Sequence, residues 1–217
     1  MGKGADTYRH KGLRAKLVDE LRKKGISDER VLDAMLQVPR HLFFDKTFEP
    51  WAYKDNAFPI DCEQTISQPY TVAFQTSLLD VHPGDKILEI GLGSGYQACV
   101  LAAMGAKVYS LERHRPLYLS TTARLGQMGV RGVRTFYGDG FRGLPSFAPF
   151  DKILVTAAAP EIPKELVRQL REGGILVIPV TRGAFQQMIR LFKTSDGKWL
   201  EEQHGEFRFV PMLEGTE

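Results

Sequence analysis

Lys86-Ile87-Leu88-Glu89-Ile90-Gly91-Leu92-Gly93-Ser94-Gly95 decides the fold. The apolar run from Ile87 to Ile90 reads as a buried strand, and it breaks into glycine at alternate positions, Gly91, Gly93 and Gly95. Such a turn lets backbone approach a ligand closely. The stretch that follows, Tyr96 to Met104, is rich in Ala, Leu and Val and reads as a helix. Strand, glycine turn and helix make the first unit of a nucleotide-type α/β fold.

Downstream, the rhythm repeats. Lys107–Leu111 reads as a strand ending in Glu112, Pro116–Met128 as a helix, and Val133–Tyr137 as a strand ending in Gly138-Asp139-Gly140. Asp151–Thr156 is a strand, Pro163–Leu170 a helix closed by Gly173-Gly174, and Ile175–Val180 a further strand. Five strands separated by helices imply a doubly wound, mainly parallel sheet. Gln187–Thr194 and Glu206–Val210, separated by a turn around Asp196-Gly197, are expected as antiparallel strands at its edge. Upstream, Leu13, Leu17 and Leu21 draw an apolar stripe on a helix from Arg9 to Lys24, ended by Gly25. Ser27 is read as the cap of a second helix, with Val31, Leu32, Met35 and Leu36 as its packing face. Phe43–Pro59 lacks periodicity and Asp61–Tyr70 reads as a loop, before a helix over Thr71–Leu79. No repeat or linker interrupts the 217 residues, so one domain is expected, with residues 1–60 as an N-terminal layer on a core of residues 61–217.

With 43% hydrophobic and 25% charged residues, the composition is that of an ordinary globular protein. No apolar run approaches a membrane span, and Met1–Lys16 is basic without an apolar signal core, so a cytoplasmic protein without membrane partners is expected. The net charge of +3 comes from interspersed basic and acidic residues, which argues for a solvated mixed surface rather than a nucleic-acid interface. Cys62 and Cys99 have no metal-site spacing, and no metal is expected. Monomer is the default state.

The glycine turn limits its own ligand. A dinucleotide fingerprint beginning at Gly91 needs glycine at position 96, where this chain has Tyr96. Glu89, two residues before the turn, would repel a pyrophosphate and favour an ammonium or sulfonium centre. S-adenosylmethionine carries both and has no phosphate. Glu112 is placed to accept hydrogen bonds from ribose hydroxyls, and Asp139 from an adenine amino group. Taken singly, the glycines could serve a tight turn, Glu112 a charged surface and Asp139 a bend; together, at successive strand ends, they describe one nucleoside site.

Several motifs then resemble one family, the protein-L-isoaspartate O-methyltransferases: Val38-Pro-Arg-His-Leu-Phe43, Gln64-Thr-Ile-Ser-Gln-Pro-Tyr70, Leu88–Gln97, Gly138–Gly140, Pro149–Pro163 and Arg208-Phe-Val-Pro-Met212. The resemblance implies methyl transfer from S-adenosylmethionine to the α-carboxylate of L-isoaspartyl residues in damaged proteins and peptides, which starts repair through a succinimide. It implies Ser67 as the active-site serine. Thr65, Ile66, Gln68, Phe209 and Val210 would contact substrate, and Ser94, Arg113, Gly140, Thr156 and Gln187 would join Glu89, Gly91, Gly93, Gly95, Glu112 and Asp139 around the cofactor. Read from the residues alone, Ser67 could instead cap the following helix, and Phe209 and Val210 could be core strand residues. The family usually carries glycine at one or both positions held here by Asp61 and Glu63. Other acceptors, small molecules or RNA, or an adaptor that binds cofactor without activity, remain as alternative readings.

Overall fold

The computed structural model describes residues 6–196 and 198–217; Gly197 of the expected turn lies outside them. In chain order the elements are α1 (Tyr8–Lys23), α2 (Glu29–Gln37), β1 (Phe58–Pro59), β2 (Thr65–Ile66), α3 (Pro69–Leu79), β3 (Lys86–Ile90), α4 (Tyr96–Ala103), β4 (Lys107–Glu112) and α5 (Arg115–Met128). They continue with β5 (Val133–Tyr137), β6 (Phe150–Val155), α6 (Lys164–Gln169), β7 (Leu170–Arg182), β8 (Phe185–Lys193) and β9 (Trp199–Phe207). Single 3-10 turns at Arg40–Phe43 and Glu49–Trp51 lie between α2 and β1.

Seven strands form the central sheet in the order β5-β4-β3-β6-β7-β8-β9. The pairings from β5 through β7 are parallel, and β8 and β9 add antiparallel strands at one edge. The reversal of strand order beside β3 puts the glycine turn at the switch point, where open α/β sheets bind ligands. Alternation sorts the strand side chains onto two cores. Ile87, Ile175 and Val177 join one cluster with residues of α1 to α5, whereas Leu88, Ile90, Leu176 and Ile178 join a second that includes Leu166 and Val167 of α6. Helices therefore cover both faces, as the repeated strand–helix rhythm requires.

Local departures from the sequence reading have physical causes. The buried face of α1 runs through Arg14, Leu17, Val18 and Leu21, and Leu13 lies at its margin, 38% exposed. Arg14 is admitted because its guanidinium donates to the Leu36 carbonyl (2.6 Å), to Tyr53 (3.0 Å) and to both carboxylate oxygens of Asp6. Asp28, not Ser27, caps α2, accepting from the Arg30 N–H at 3.0 Å. Helix α3 begins at Pro69 rather than Thr71, since proline at the first helical position has no N–H to satisfy. Gly173 and Gly174 do not close a helix: α6 ends at Gln169 and β7 starts immediately, with an irregular register against β6 between Phe150 and Lys152. The last strand is Trp199–Phe207, not Glu206–Val210, and Arg208–Val210 lies beyond it. Most of β9 is exposed, so no apolar alternation announces it. Among the described residues no helix is long and apolar enough to cross a membrane.

Candidate active site

A cavity of about 1540 Å³ opens at the carboxyl ends of the parallel strands, large enough for a nucleoside and a segment of peptide. The glycine turn forms one wall. Gly91 has φ +99°, Gly93 +50° and Gly95 +85°, and a Cβ at position 91 would overlap the Thr156 hydroxyl. That hydroxyl is held between the Ile90 carbonyl (2.9 Å) and the Gly91 carbonyl (3.0 Å), tying the turn to the end of β6. Thr121 donates to the Gly93 carbonyl at 2.7 Å. The turn is thus fixed from two sides before any ligand enters.

Glu112, at the end of β4, is 4% exposed and lines the same cavity. Its carboxylate accepts backbone N–H groups from Gly93 (2.9 Å), Arg113 (2.9 Å) and His114 (3.0 Å). Those bonds orient the carboxylate: Oε1 takes the Arg113 and His114 N–H groups, and Oε2, with the Gly93 N–H alone, keeps an acceptor position. Arg113 lines the cavity too, but its guanidinium is turned to Glu217 (3.1 Å) and to the carbonyls of Glu214 and Gly215. Ser94, Gly140 and Thr156 also line it, and a Cβ on Gly140 would press on Ile90 Cγ2 at 2.6 Å.

Glu89, Gly95, Asp139 and Gln187 do not line this cavity. Glu89 is fully buried on the Ile87 face of β3 and bonded by the Ser110 hydroxyl; burial, with the nearby Glu112 charge adding to it, pushes its carboxyl up to about 8. Its Oε1 has no partner among the described residues. Gly95 instead makes room for α5, since a Cβ there would meet Thr121 Cγ2 at 3.0 Å. Asp139 closes its own turn, accepting from the Phe141 N–H at 2.9 Å, and Gln187 is paired in β8 with Val180 and Glu206.

Thr65, Ile66, Ser67, Gln68, Phe209 and Val210 also line this cavity, although they are far apart in sequence. The short β1–β2 ribbon carries Thr65 and Ile66, with Ile66 buried at 2% exposure. Ser67 does not cap α3. That work falls to Asp55, whose Oδ1 accepts from the Tyr70 N–H at 2.7 Å and whose Oδ2 accepts from Gln68 Nε2 at 3.1 Å. The Ser67 hydroxyl has no hydrogen-bond partner among the described residues. Phe209 donates its N–H to Gln186 (2.8 Å), and the Val210 carbonyl accepts from Ala158 (2.8 Å), which seats this segment against the start of β8 and the loop that follows β6.

Cys62 and Glu63 adopt left-handed backbone, φ 57° and 55°, a conformation that favours glycine. Glu63 lines the cavity and Asp61 does not. Burial, with Asp61 beside it, raises the Cys62 thiol, so it is not an activated thiolate. Tyr96 and Gln97, the first residues of α4, line the cavity as well, having been read only as helix. One further cluster has ligand-type side chains, Asp6, His10 and His41, with potential ligand atoms within 4.8 Å. The two imidazoles stack at 3.8 Å, which keeps their in-plane lone pairs from converging, and Asp6 is engaged by Arg14. It fastens α1 to the Arg40–Phe43 turn.

The lining fits a nucleoside with a cationic centre: a glycine turn open to close approach, a buried carboxylate acceptor in Glu112, and no cationic side chain on the turn itself. Fold and site together define an S-adenosylmethionine-dependent methyltransferase of Rossmann-like architecture. The sequence profile of the protein-L-isoaspartate(D-aspartate) O-methyltransferases matches residues 12–217, and the chain belongs to that family. It is 54% identical over 210 residues to the protein-L-isoaspartate O-methyltransferase of Christiangramia forsetii, covering 96% of this chain and 98% of that one. It is 52% identical over 209 residues to that of Flavobacterium psychrophilum, with the same coverage. A solved protein-L-isoaspartate O-methyltransferase superposes with a TM-score of 0.83 at 30% identity over 91% of this chain, which spans 65% of that longer one. The Plasmodium falciparum enzyme, solved with S-adenosyl-L-homocysteine, gives 0.81 at 25% identity, covering 92% and 98% of the two chains. The activity is methylation of L-isoaspartyl carboxylates with S-adenosylmethionine as donor.

Proposed function

We propose that the two walls divide the reaction between them: Gly91–Ser94, Glu112, Gly140 and Thr156 hold the donor nucleoside, and Thr65–Gln68 with Phe209 and Val210 hold the isoaspartyl segment. S-adenosylmethionine supplies the methyl group from its sulfonium. The acceptor carboxylate is ionised at neutral pH, so attack needs no general base, and Thr65–Gln68 contains no histidine or lysine. The chain's contribution is to align and dry the reactants, which is worth on the order of 7–11 kcal/mol at best. Ser67 donates its hydroxyl proton to one carboxylate oxygen as a hydrogen bond, and the other oxygen faces the methyl carbon. Glu89 and Asp139 act from behind the cavity wall, Glu89 as a buried neutral carboxyl and Asp139 through the Gly138–Gly140 turn. Arg113 and Gln187 act more remotely.

The observation that carries this reading is that Ser67 lines the cavity with a hydroxyl committed to nothing else, while Asp55 performs the capping. The peptide lies extended along Phe209 and Val210, where main-chain contacts give affinity without reading sequence. The methyl ester then loses methanol when the neighbouring backbone nitrogen attacks its carbonyl, forming the succinimide without further help. The protein is proposed to act as a single-domain cytoplasmic monomer on protein clients, without nucleic acid; light scattering on a sizing column tests the monomer.

Labelled S-adenosylmethionine and paired peptides differing only in Asp against L-isoAsp linkage test the acceptor. Base-labile label is expected in the isoAsp peptide alone. Ser67→Ala is expected to lower kcat/KM for that peptide roughly 100-fold, the size of one lost transition-state donor, with melting unchanged to within about 2 °C. Equal labelling of both peptides, or a fully active Ser67→Ala enzyme, sinks the reading.

A further inference from the structure

Arg40 is a cation with no exposure, 0% of its surface reaching solvent, on a 3-10 turn of the N-terminal layer that the sequence presents as packing. Burying a guanidinium is costly unless its donors are used. Nε donates to the Ala52 carbonyl at 3.0 Å and Nη2 to the Ser67 carbonyl at 2.9 Å, while Nη1 is buried with no hydrogen-bond partner among the described residues. The guanidinium lies over the ring of Tyr96 at 4.7 Å and beside that of Phe44 at 5.3 Å. Tyr96 is the residue directly after the glycine turn and lines the cavity. One buried side chain therefore touches the backbone of the acceptor loop and the first residue of the donor-side helix.

Asp55, also from the N-terminal layer, grips the next residues of the same loop. Its side chain is 6% exposed, and besides Gln68 and Tyr70 it pairs with Lys24 Nζ at 2.5 Å. We propose that Arg40 is a positioning residue for methyl transfer, which with Asp55 clamps the backbone of Ser67 to Tyr70 and so sets where the Ser67 hydroxyl stands relative to the donor wall. This rests on the reading of Ser67 as the group that holds the acceptor carboxylate. A planar fork is required, because the two carbonyls and the Tyr96 face are met simultaneously. A lysine ammonium in the same place reaches one carbonyl at a time.

The test combines Arg40→Lys and Asp55→Asn, each alone and with Ser67→Ala, in the full-length enzyme. Three quantities are read: kcat/KM for an isoaspartyl peptide, the Kd of S-adenosylhomocysteine by calorimetry, and the melting temperature. Arg40→Lys is expected to lower kcat/KM at least tenfold and Asp55→Asn three- to tenfold, with Kd unchanged within about threefold, since Phe43 still braces the Tyr96 ring edge-on at 5.4 Å. Because both act through Ser67, the double variants are expected to be no more than about twofold slower than Ser67→Ala alone. Losses that multiply, or a tenfold weaker Kd with kcat preserved, overturn the proposal. If Arg40→Lys loses its cooperative melt, the Asp55→Asn pair alone decides. A fully active Ser67→Ala refutes the Ser67 role and this clamp with it, whereas multiplying losses beside an inactive Ser67→Ala refute only the clamp.

Discussion

Gly91→Ala is the substitution whose effect is most directly worked from the geometry. At φ +99° the residue lies outside even the left-handed region open to alanine, so the backbone must move or hold strain of about 1–3 kcal/mol. The new methyl also displaces the Thr156 hydroxyl from the Ile90 and Gly91 carbonyls, a loss of roughly 1 kcal/mol. Together these give about 2–4 kcal/mol. At roughly 2–4 °C per kcal/mol for a chain of this size, the melting point is expected to fall on the order of 5–15 °C. Binding of S-adenosylhomocysteine is expected to weaken at least tenfold, because Gly91 is cavity wall. Thr156→Ala alone is expected to cost about 1 kcal/mol. In the double variant the overlap is gone, and the total is expected to be smaller than the sum by about 1 kcal/mol. Circular dichroism melts and calorimetric titration of the four proteins complete the cycle. A Gly91→Ala enzyme that melts within 2 °C of the parent and binds cofactor normally, or a strictly additive cycle, refutes the reasoning.

Two further expectations concern acids. Glu89 stays protonated in the fold up to about pH 8, while in the unfolded chain it ionises above about 4.5, so its contribution to stability is full at low pH and is lost as pH rises through that window. Glu89→Gln keeps a partner for Ser110 and cannot ionise; its stability is therefore expected to fall less between pH 5 and pH 8 than the parent's, by on the order of a few kcal/mol. Parallel denaturation profiles for the two proteins across that range count against the burial argument. Glu63→Gly relieves a left-handed backbone worth roughly 1 kcal/mol, offset in part by glycine's greater unfolded freedom, and removes a carboxylate from the acceptor cavity. KM for isoaspartyl peptides is expected to drop two- to fivefold at low ionic strength and less at high salt; a salt-independent KM leaves repulsion without support.

Where neighbours in space are neighbours in sequence, the chain was readable. Lys86–Ile90 and Val133–Tyr137 are bounded by breakers and fully or partly buried, and both strands fall where periodicity puts them. Gly91 and Gly93 were legible as a turn at the cavity wall, whereas Gly95, in the same pattern, makes room for α5 instead. Strand β9 was misplaced because its side chains face water, and β7 began early because its start is set by pairing with β6 rather than by local pattern. Glu89 looked like a lining residue from its spacing, but strand alternation turns it onto the Ile87 face. Arg40 stood inside one of the resemblance motifs and Asp55 in an aperiodic stretch, but neither carried a local signal of its partners. Their partners lie 27 residues away for Arg40 and 13 and 15 residues away for Asp55, and only the folded N-terminal layer brings them to the loop.

The pairing of Val210 and Met212 with Ala158 has a consequence for biosynthesis. Ala158 lies three residues beyond the central strand β6, and both of its backbone groups are satisfied by residues translated much later, its N–H by Val210 (2.8 Å) and its carbonyl by Met212 (2.8 Å). The ribosome exposes the donor wall from Gly91 to Gly140 long before it supplies Phe209. A nascent chain halted before residue 208 lacks one side of the acceptor groove, so competence to modify damaged proteins waits for the segment that follows β9.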